Sequence, residues 1–209
     1  MAKTLLKVSI ILIMLPFMSS CTNQEMTKSG FLTDYQALQK PNEDLKEATY
    51  INPAASFAQY QNVMIEGVAL KLTESDPEET AAYQKLADTL RQKLHEQFGK
   101  HYRITQQPAP GTLYVRSAIT GITTANPYIN TATTLLVAAP VKNGGASAEA
   151  EIIDAITGER LAAITWADEG SVWRMSQITG SFSRYAHAEY LLGVFAQKTM
   201  QMTKPSKNN

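Results

Sequence analysis

The chain has 209 residues, 44% of them hydrophobic, with 19 basic and 19 acidic side chains. That length suits one domain with tails, and the apolar fraction is enough for a buried core. The balanced charge, with no block of one sign, argues against a nucleic-acid or polyanion binder, and a single cysteine excludes an intrachain disulfide framework or a cysteine-based metal cluster.

The first 20 residues have the three parts of an export signal. Lys3 and Lys7 form a positive start, no acid is present, and Val8 to Met18 is apolar apart from Ser9. As a helix this run spans about 16 Å at 1.5 Å per residue. A hydrocarbon core is about 30 Å thick, so the run is too short for a permanent span and reads as a cleavable leader over residues 1–20. Its removal takes Lys3 and Lys7 away, which lowers the basic count from 19 to 17 against 19 acids.

Ser19 and Ser20 then lead directly into Cys21, the one cysteine. This stretch resembles the lipobox of bacterial lipoproteins, with Met18 where that pattern favours Leu. The resemblance implies that the Cys21 sulfur takes diacylglycerol, that the leader is cut before it, and that the new amino terminus is acylated. Two or more acyl chains hold a protein stably on a membrane, at about 0.8 kcal/mol per buried methylene. The alternative is a free cysteine beside an ordinary secretory site. Thr22 is not the Asp that marks inner-membrane retention in the enterobacterial sorting pattern, so the expected location is the outer membrane, facing the periplasm.

Residues 21–30 are then expected to be a lipidated polar tether. The stretch that follows, with Pro41 and Pro53 and no clean period, is expected to wrap over a domain and pin itself by Phe31, Tyr35, Tyr50 and Phe57. Residues 62–72, "NVMIEGVALKL", are apolar on both faces and predict a central strand. A helix follows: Asp76 as cap, Pro77 at the first helical position and Glu79 completing a capping box. Leu86, Leu90, Leu94 and Phe98 fall on one face, and Gly99 is a stop. "HYRITQQ" and "GTLYVRSAITGITTA" predict two strands joined across Pro108, Pro110 and Gly111. The run within 122–142 is open between a buried strand and an exposed apolar lip.

The clearest hairpin is "ASAEAEIIDAITGERLAAITWAD", in which Ala146, Ala148, Ala150 and Ile152 alternate with Ser147, Glu149, Glu151 and Ile153. Thr157-Gly158 supplies its turn. A last helix carries Tyr185, Ala188, Leu192 and Phe195, widened by Leu191 and Val194. The expected fold is α+β: two helices packed on a mostly antiparallel sheet, preceded by an irregular wrapping segment. The expected organisation is one domain over 31–202 with a loose tail at 203–209.

Two blocks, "SGFLTDYQALQKPNEDLKEATYINP" and "GGASAEAEIIDAITGERLAAITWAD", resemble a bacterial lipoprotein family known as domain of unknown function 3313. The second block also occurs in other envelope lipoproteins with related α+β folds, among them auxiliary proteins of transport machines and curli-type assembly proteins. The resemblance implies the lipoprotein character and the fold class, and brings no catalytic residues.

The search for reactive groupings yields little. No nucleophile elbow, zinc helix, phosphate loop or dinucleotide fingerprint occurs. His95 is followed by Glu96, but the position where a zinc helix needs its second histidine is Gly99. His101 and His187 complete no ligand spacing, so no metal or organic cofactor is expected. Asp154 lies at the hairpin turn while Asp168 and Glu169 follow the return strand, which predicts opposite ends of a ladder. Trp166, Trp173 and Arg174 form a candidate partner contact, against the alternative that both tryptophans close over the core.

The expected function is therefore a non-enzymatic accessory or scaffold protein of an envelope assembly, with a membrane and an envelope protein as partners and no nucleic acid. The alternative is a binding module for a lipid or other small envelope ligand, which would need a concave apolar pocket.

Overall fold

The computed structural model describes residues 28–41, 46–72, 77–124, 144–169 and 185–204. Within them the chain forms β1 (Glu47–Ile51), a 3-10 turn (Phe57–Gln59), β2 (Asn62–Ile65), β3 (Ala69–Leu70), a 3-10 turn (Pro77–Glu79), α1 (Thr80–Phe98), β4 (Arg103–Ile104), β5 (Thr112–Thr123), β6 (Gly145–Asp154), β7 (Arg160–Glu169) and α2 (Ala186–Gln201). Among the described residues, the seven strands make one sheet in the order β1-β7-β6-β5-β2-β4, with β3 also paired to β5. This is the expected α+β fold. The long pairings β1–β7, β7–β6 and β6–β5 are antiparallel, whereas β2, β3 and β4 join in parallel.

Local chemistry explains most elements. The β6–β7 turn closes around Asp154, whose Oδ1 accepts the N–H groups of Ile156 and Thr157 at 2.8 Å each. Gly158 takes φ +71°, a conformation that a side chain disfavours. α1 buries Leu86, Leu90, Leu94 and Phe98, the expected stripe, and α2 buries Ala188, Leu191, Leu192 and Phe195. Each large aliphatic or aromatic side chain moved from water contributes roughly 1.5–3 kcal/mol.

The two helices run side by side in the same direction. At their starts the Tyr83 and Tyr185 rings meet edge to face at 6.4 Å, and Tyr185 donates to Glu79. At their ends Tyr102 meets Thr203. Both helices cover the face of the sheet that carries Val115, Ala148, Ala150, Ile152 and Ile164, all fully buried. The alanines of β6 are the reason this close approach works, since small side chains let a helix sit near the strand.

Several sequence expectations need correction. The single strand over 62–72 is two short ones, because Glu66-Gly67-Val68 interrupts the pairing before the chain rejoins β5 at Ala69. "HYRITQQ" contributes only Arg103–Ile104, and it does not form a hairpin with β5, since β2 lies between them. The Asp76 cap lies outside the described residues, and α1 begins after the 3-10 turn with Glu79 at the cap position. Gly99 does follow the helix, but with φ −62°, so it is not a left-handed cap. The run at 122–142 lies outside the described residues from 125 onward. At the carboxyl end packing persists past the expected boundary, with Thr203 buried and its hydroxyl donating to the Met200 carbonyl at 2.8 Å.

Candidate functional site

The face of the sheet away from the helices carries the most distinctive chemistry. Alternation along β6 puts Glu149 and Glu151 on that face, two residues apart. The sequence pattern marks them as the polar side of a half-buried strand, yet both are fully buried. Across the ladders Glu149 lies opposite Ala118 and Thr165, and Glu151 lies opposite Arg116 and Ala163. The small neighbours leave room for a covering segment, and residues 28–41 provide it.

This strap grips each carboxylate in the same way. Ser29 donates its backbone N–H to Glu149 Oε1 at 3.1 Å and its hydroxyl to Oε2 at 2.8 Å. Thr33 repeats the pattern on Glu151, with its N–H at 2.6 Å and its hydroxyl at 2.9 Å. Tyr35 adds a hydroxyl to Glu149 at 2.6 Å while accepting the Gly30 and Leu32 N–H groups. Burial, and then this bond to Glu149, raise the Tyr35 pKa above its ordinary value. Gly30 lies at φ +77°, which turns the strap between its first contacts.

Two arginines complete the arrangement. Arg116 and Arg160 approach Glu151 at 3.5 and 3.7 Å. Arg160 also donates to the Asp34 carbonyl at 2.6 Å, and its guanidinium lies 4.5 Å over the Tyr50 ring. Arg116 stacks 5.2 Å over Phe31. Burying a carboxylate is costly unless its lone pairs are filled, and here N–H, hydroxyl and guanidinium groups fill them. Strong charge-assisted bonds of this kind hold a segment in register. With both carboxylates fully buried under the strap, the cluster is a clamp, not a place for a reacting atom.

Other candidates are weaker. A shallow depression of about 250 Å³ lies beside Tyr60, Pro110, Asp154 and Ile156. Tyr60 donates to Asp154 Oδ2 at 2.9 Å, and burial together with that carboxylate pushes its pKa up to about 12. The Thr157 N–H chiefly holds the Asp154 pKa below the ordinary value. Asp168 and Glu169 lie at the opposite end of the β6–β7 ladder, where Lys46 pairs with Glu169 at 3.0 Å. Among the described residues no group of three or more His, Cys, Asp or Glu side chains could hold a metal ion.

Trp166 is not a surface contact. It is 3% exposed and packs on Phe195 with ring centroids 5.8 Å apart. Its place on β7 faces it towards α2, so the partner-contact assignment is corrected for this residue. Trp173, Arg174 and Cys21 lie outside the described residues.

His187 is buried at the start of α2. Its Nδ1 accepts the Gly144 N–H at 3.2 Å, and Nε2 has no partner among the described residues. Burial lowers its pKa from 6.5. The folded state therefore favours the neutral ring, and the unfolded chain takes up the proton first. Stability from this group is complete above about pH 6.5 and is lost as the pH falls towards the lower folded value. His95 has a pKa lowered by burial and then by Arg91, and acts with the same sign. Thermal melts of the wild type and His187→Asn at pH 7.5 and 5 are expected to show the smaller drop in the variant. Equal drops would show that His187 does not titrate differently on folding.

Residues 27–199 match the family described as "Protein of unknown function (DUF3313)". The chain belongs to that family. No curated protein matches the sequence significantly. Among solved structures, a PelC dodecamer from Paraburkholderia phytofirmans is 10% identical, with a TM-score of 0.45, covering 76% of this chain and 98% of that one. A DUF4136 family protein from Bacteroides thetaiotaomicron is 10% identical with a TM-score of 0.41, covering 78% and 100% of the two chains. A DUF330 protein from Xanthomonas campestris is 11% identical with a TM-score of 0.41, covering 73% and 89%. At these levels of similarity no role passes from those proteins to this DUF3313 chain.

Proposed function

We propose that this protein is a lipid-anchored lipoprotein of the outer membrane, facing the periplasm, that serves as a non-enzymatic accessory or scaffold component of an envelope assembly. The leader, Ser19-Ser20-Cys21 and Thr22 support the anchor and its destination. No described helix is long and apolar enough to cross a membrane, so in this reading lipid on Cys21 is the means of attachment.

The observation that carries the reading is the strap. Ser29 is clamped to Glu149 only eight residues after Cys21. The fold thus invests two buried carboxylates and two arginines in fixing the segment that leads to the anchor. Such a mount suits a component whose position matters more than its reach. At about 250 Å³ the depression beside Tyr60 is smaller than the roughly 300–1,000 Å³ of typical ligand sites and does not itself support a lipid-binding module.

Intact mass and membrane fractionation test the anchor. The expected mature form starts at Cys21, carries acyl chains and sediments with outer-membrane markers, and Cys21→Ser is expected to lose the lipid. An unmodified thiol, or recovery with inner-membrane markers, would sink the anchor or its location respectively. For the scaffold role, deletion of the protein is expected to lower recovery of an intact envelope complex. Full recovery of every complex with which it co-purifies would argue against that role.

A further inference from the structure

The exposed apolar side chains of the described residues are not scattered. Ile51, Ile104 and Ile156 are the three large ones, 50%, 37% and 57% exposed. Single exposed apolar residues need no explanation, but these three lie at one end of the sheet. Ile51 ends β1 opposite Ala162, near the start of β7. Ile156 stands on the β6–β7 turn, just after Asp154. Ile104 pairs with Val63, whose other partner Leu113 lies opposite Asp154. Both helices end there too, since Tyr102 after α1 meets Thr203 after α2.

The charges divide along the same axis. The described residues of this turn end, 51–61, 99–112, 154–160 and 202–204, carry four bases and two acids. Asp154 is tied to the Ile156 and Thr157 N–H groups and to Tyr60, Glu159 to Asn52, and Arg160 to the strap. Lys100, Arg103 and Lys204 remain exposed. Lys100 and Lys204 follow helix ends, where a cation offsets the dipole; Arg103 sits on a strand and has no such account. The opposite end of the sheet is acidic. There Glu78 and Glu79 precede α1, Asp168 and Glu169 end β7 and Glu189 lies in the first turn of α2, against Lys46 and Lys71. A domain polarised in this way presents its turn end to an anionic surface.

A membrane is the anionic surface within reach. Eight residues separate Cys21 from Ser29, about 29 Å at full extension at 3.6 Å each. Ser29 is held at the level of Glu149, five strand residues or about 17 Å from Asp154. The leash therefore reaches a bilayer at either end of the sheet, and the surface decides between them. Exposed apolar side chains enter the headgroup boundary while lysine and arginine meet lipid phosphates, a combination that holds proteins at an anionic interface. We propose that the turn end docks on an anionic phospholipid surface, with Ile51, Ile104 and Ile156 against the headgroup layer and Lys100, Arg103 and Lys204 against its phosphates. The inference rests on the lipidation of Cys21 proposed above. It leaves the acidic end, where both helices begin, directed into the periplasm.

The experiment uses the full lipidated protein with a single added thiol, Ala54→Cys or Gln106→Cys at the turn end, or Ala81→Cys at the start of α1. All three positions are exposed, and Cys21 is consumed by its lipid. Each variant is labelled with a nitroxide and reconstituted in phosphatidylethanolamine–phosphatidylglycerol vesicles containing a nickel-chelating lipid. Relaxation by headgroup nickel is expected to be several-fold stronger at positions 54 and 106 than at 81. Equal or reversed values in protein that floats with the vesicles would overturn the docking and leave the anchor standing. Protein that fails to float would overturn both. Strong coupling between the labels of two molecules at position 54, without excess nickel relaxation, would show that a second copy covers this end and would overturn the docking. Replacing phosphatidylglycerol by phosphatidylcholine is expected to weaken the contrast in unaltered protein, and Lys100→Glu/Arg103→Glu is expected to weaken it in the original vesicles. A contrast that either change leaves intact would overturn recognition of an anionic surface.

Discussion

Replacing Trp166 by alanine is expected to destabilise the domain by about 3–5 kcal/mol, the range for removing a large aromatic side chain from a core. The indole is 3% exposed and stacks on Phe195, so its loss opens a void between β7 and α2. The surrounding structure has little freedom to close that void, because β7 is paired on both sides, to β1 and to β6. Against a total stability of about 5–15 kcal/mol, such a loss leaves little margin. Trp166→Phe retains most of the ring contact and is expected to lose far less. Urea unfolding of the three proteins is the check. A loss below about 1 kcal/mol for the alanine variant, in the range of surface substitutions, would return Trp166 to the surface and revive it as a contact.

That residue also shows how far the sequence could be read. A tryptophan near the end of a strand is compatible with either face, and its assignment depends on register. Once Glu47, Thr49 and Ile51 of β1 are paired with Trp166, Ile164 and Ala162, these residues share the helix side, while the register irregularity next to Ala162 leaves Arg160 on the other face. Nothing local in the sequence announces that pairing, because β1 and β7 are more than a hundred residues apart. The helices, by contrast, were legible from spacing alone, and the hairpin from its alternation and Thr157-Gly158.

The clamp was half legible. The two blocks that resemble DUF3313 proteins contain most of its parts: Ser29, Thr33 and Tyr35 in the first, and Glu149, Glu151 and Arg160 in the second, with Arg116 in neither. What the sequence did not reveal is that the blocks touch. Two signals point that way in retrospect. Ser29 and Thr33 present the same N–H and hydroxyl pair four residues apart, and Glu149 and Glu151 are set among alanines, which cannot themselves cover a sheet face. Reading the glutamates as one side of a half-buried strand missed this, since carboxylates are seldom fully buried unless paired.

Replacing Glu151 by alanine is expected to cost about 3–5 kcal/mol, the range for removing one partner of a buried ion pair. The carboxylate is fully buried and accepts from Thr33 twice, with Arg116 and Arg160 beside it. Without it the Thr33 N–H loses its acceptor and two guanidiniums face an apolar gap. The cost should fall at the lower end of the range, because Arg116 is 34% exposed and also pairs with Glu66, so it can turn towards water. Glu151→Gln should cost less than Glu151→Ala. The amide oxygen still accepts the Thr33 N–H, and its nitrogen can donate to the Thr33 hydroxyl; only the attraction to the arginines is lost. The effect should be concentrated in the strap, so hydrogen exchange at residues 28–41 is expected to rise further than exchange in β6 or α2. The Ser29 and Tyr35 bonds to Glu149 remain in this variant, so the segment stays attached at Ser29 and the loosening is expected chiefly around Thr33 and Asp34. An alanine variant with unchanged melting and a still-protected strap would show that Glu151 does not hold the segment, and the clamp would have to rest on Glu149 and Tyr35.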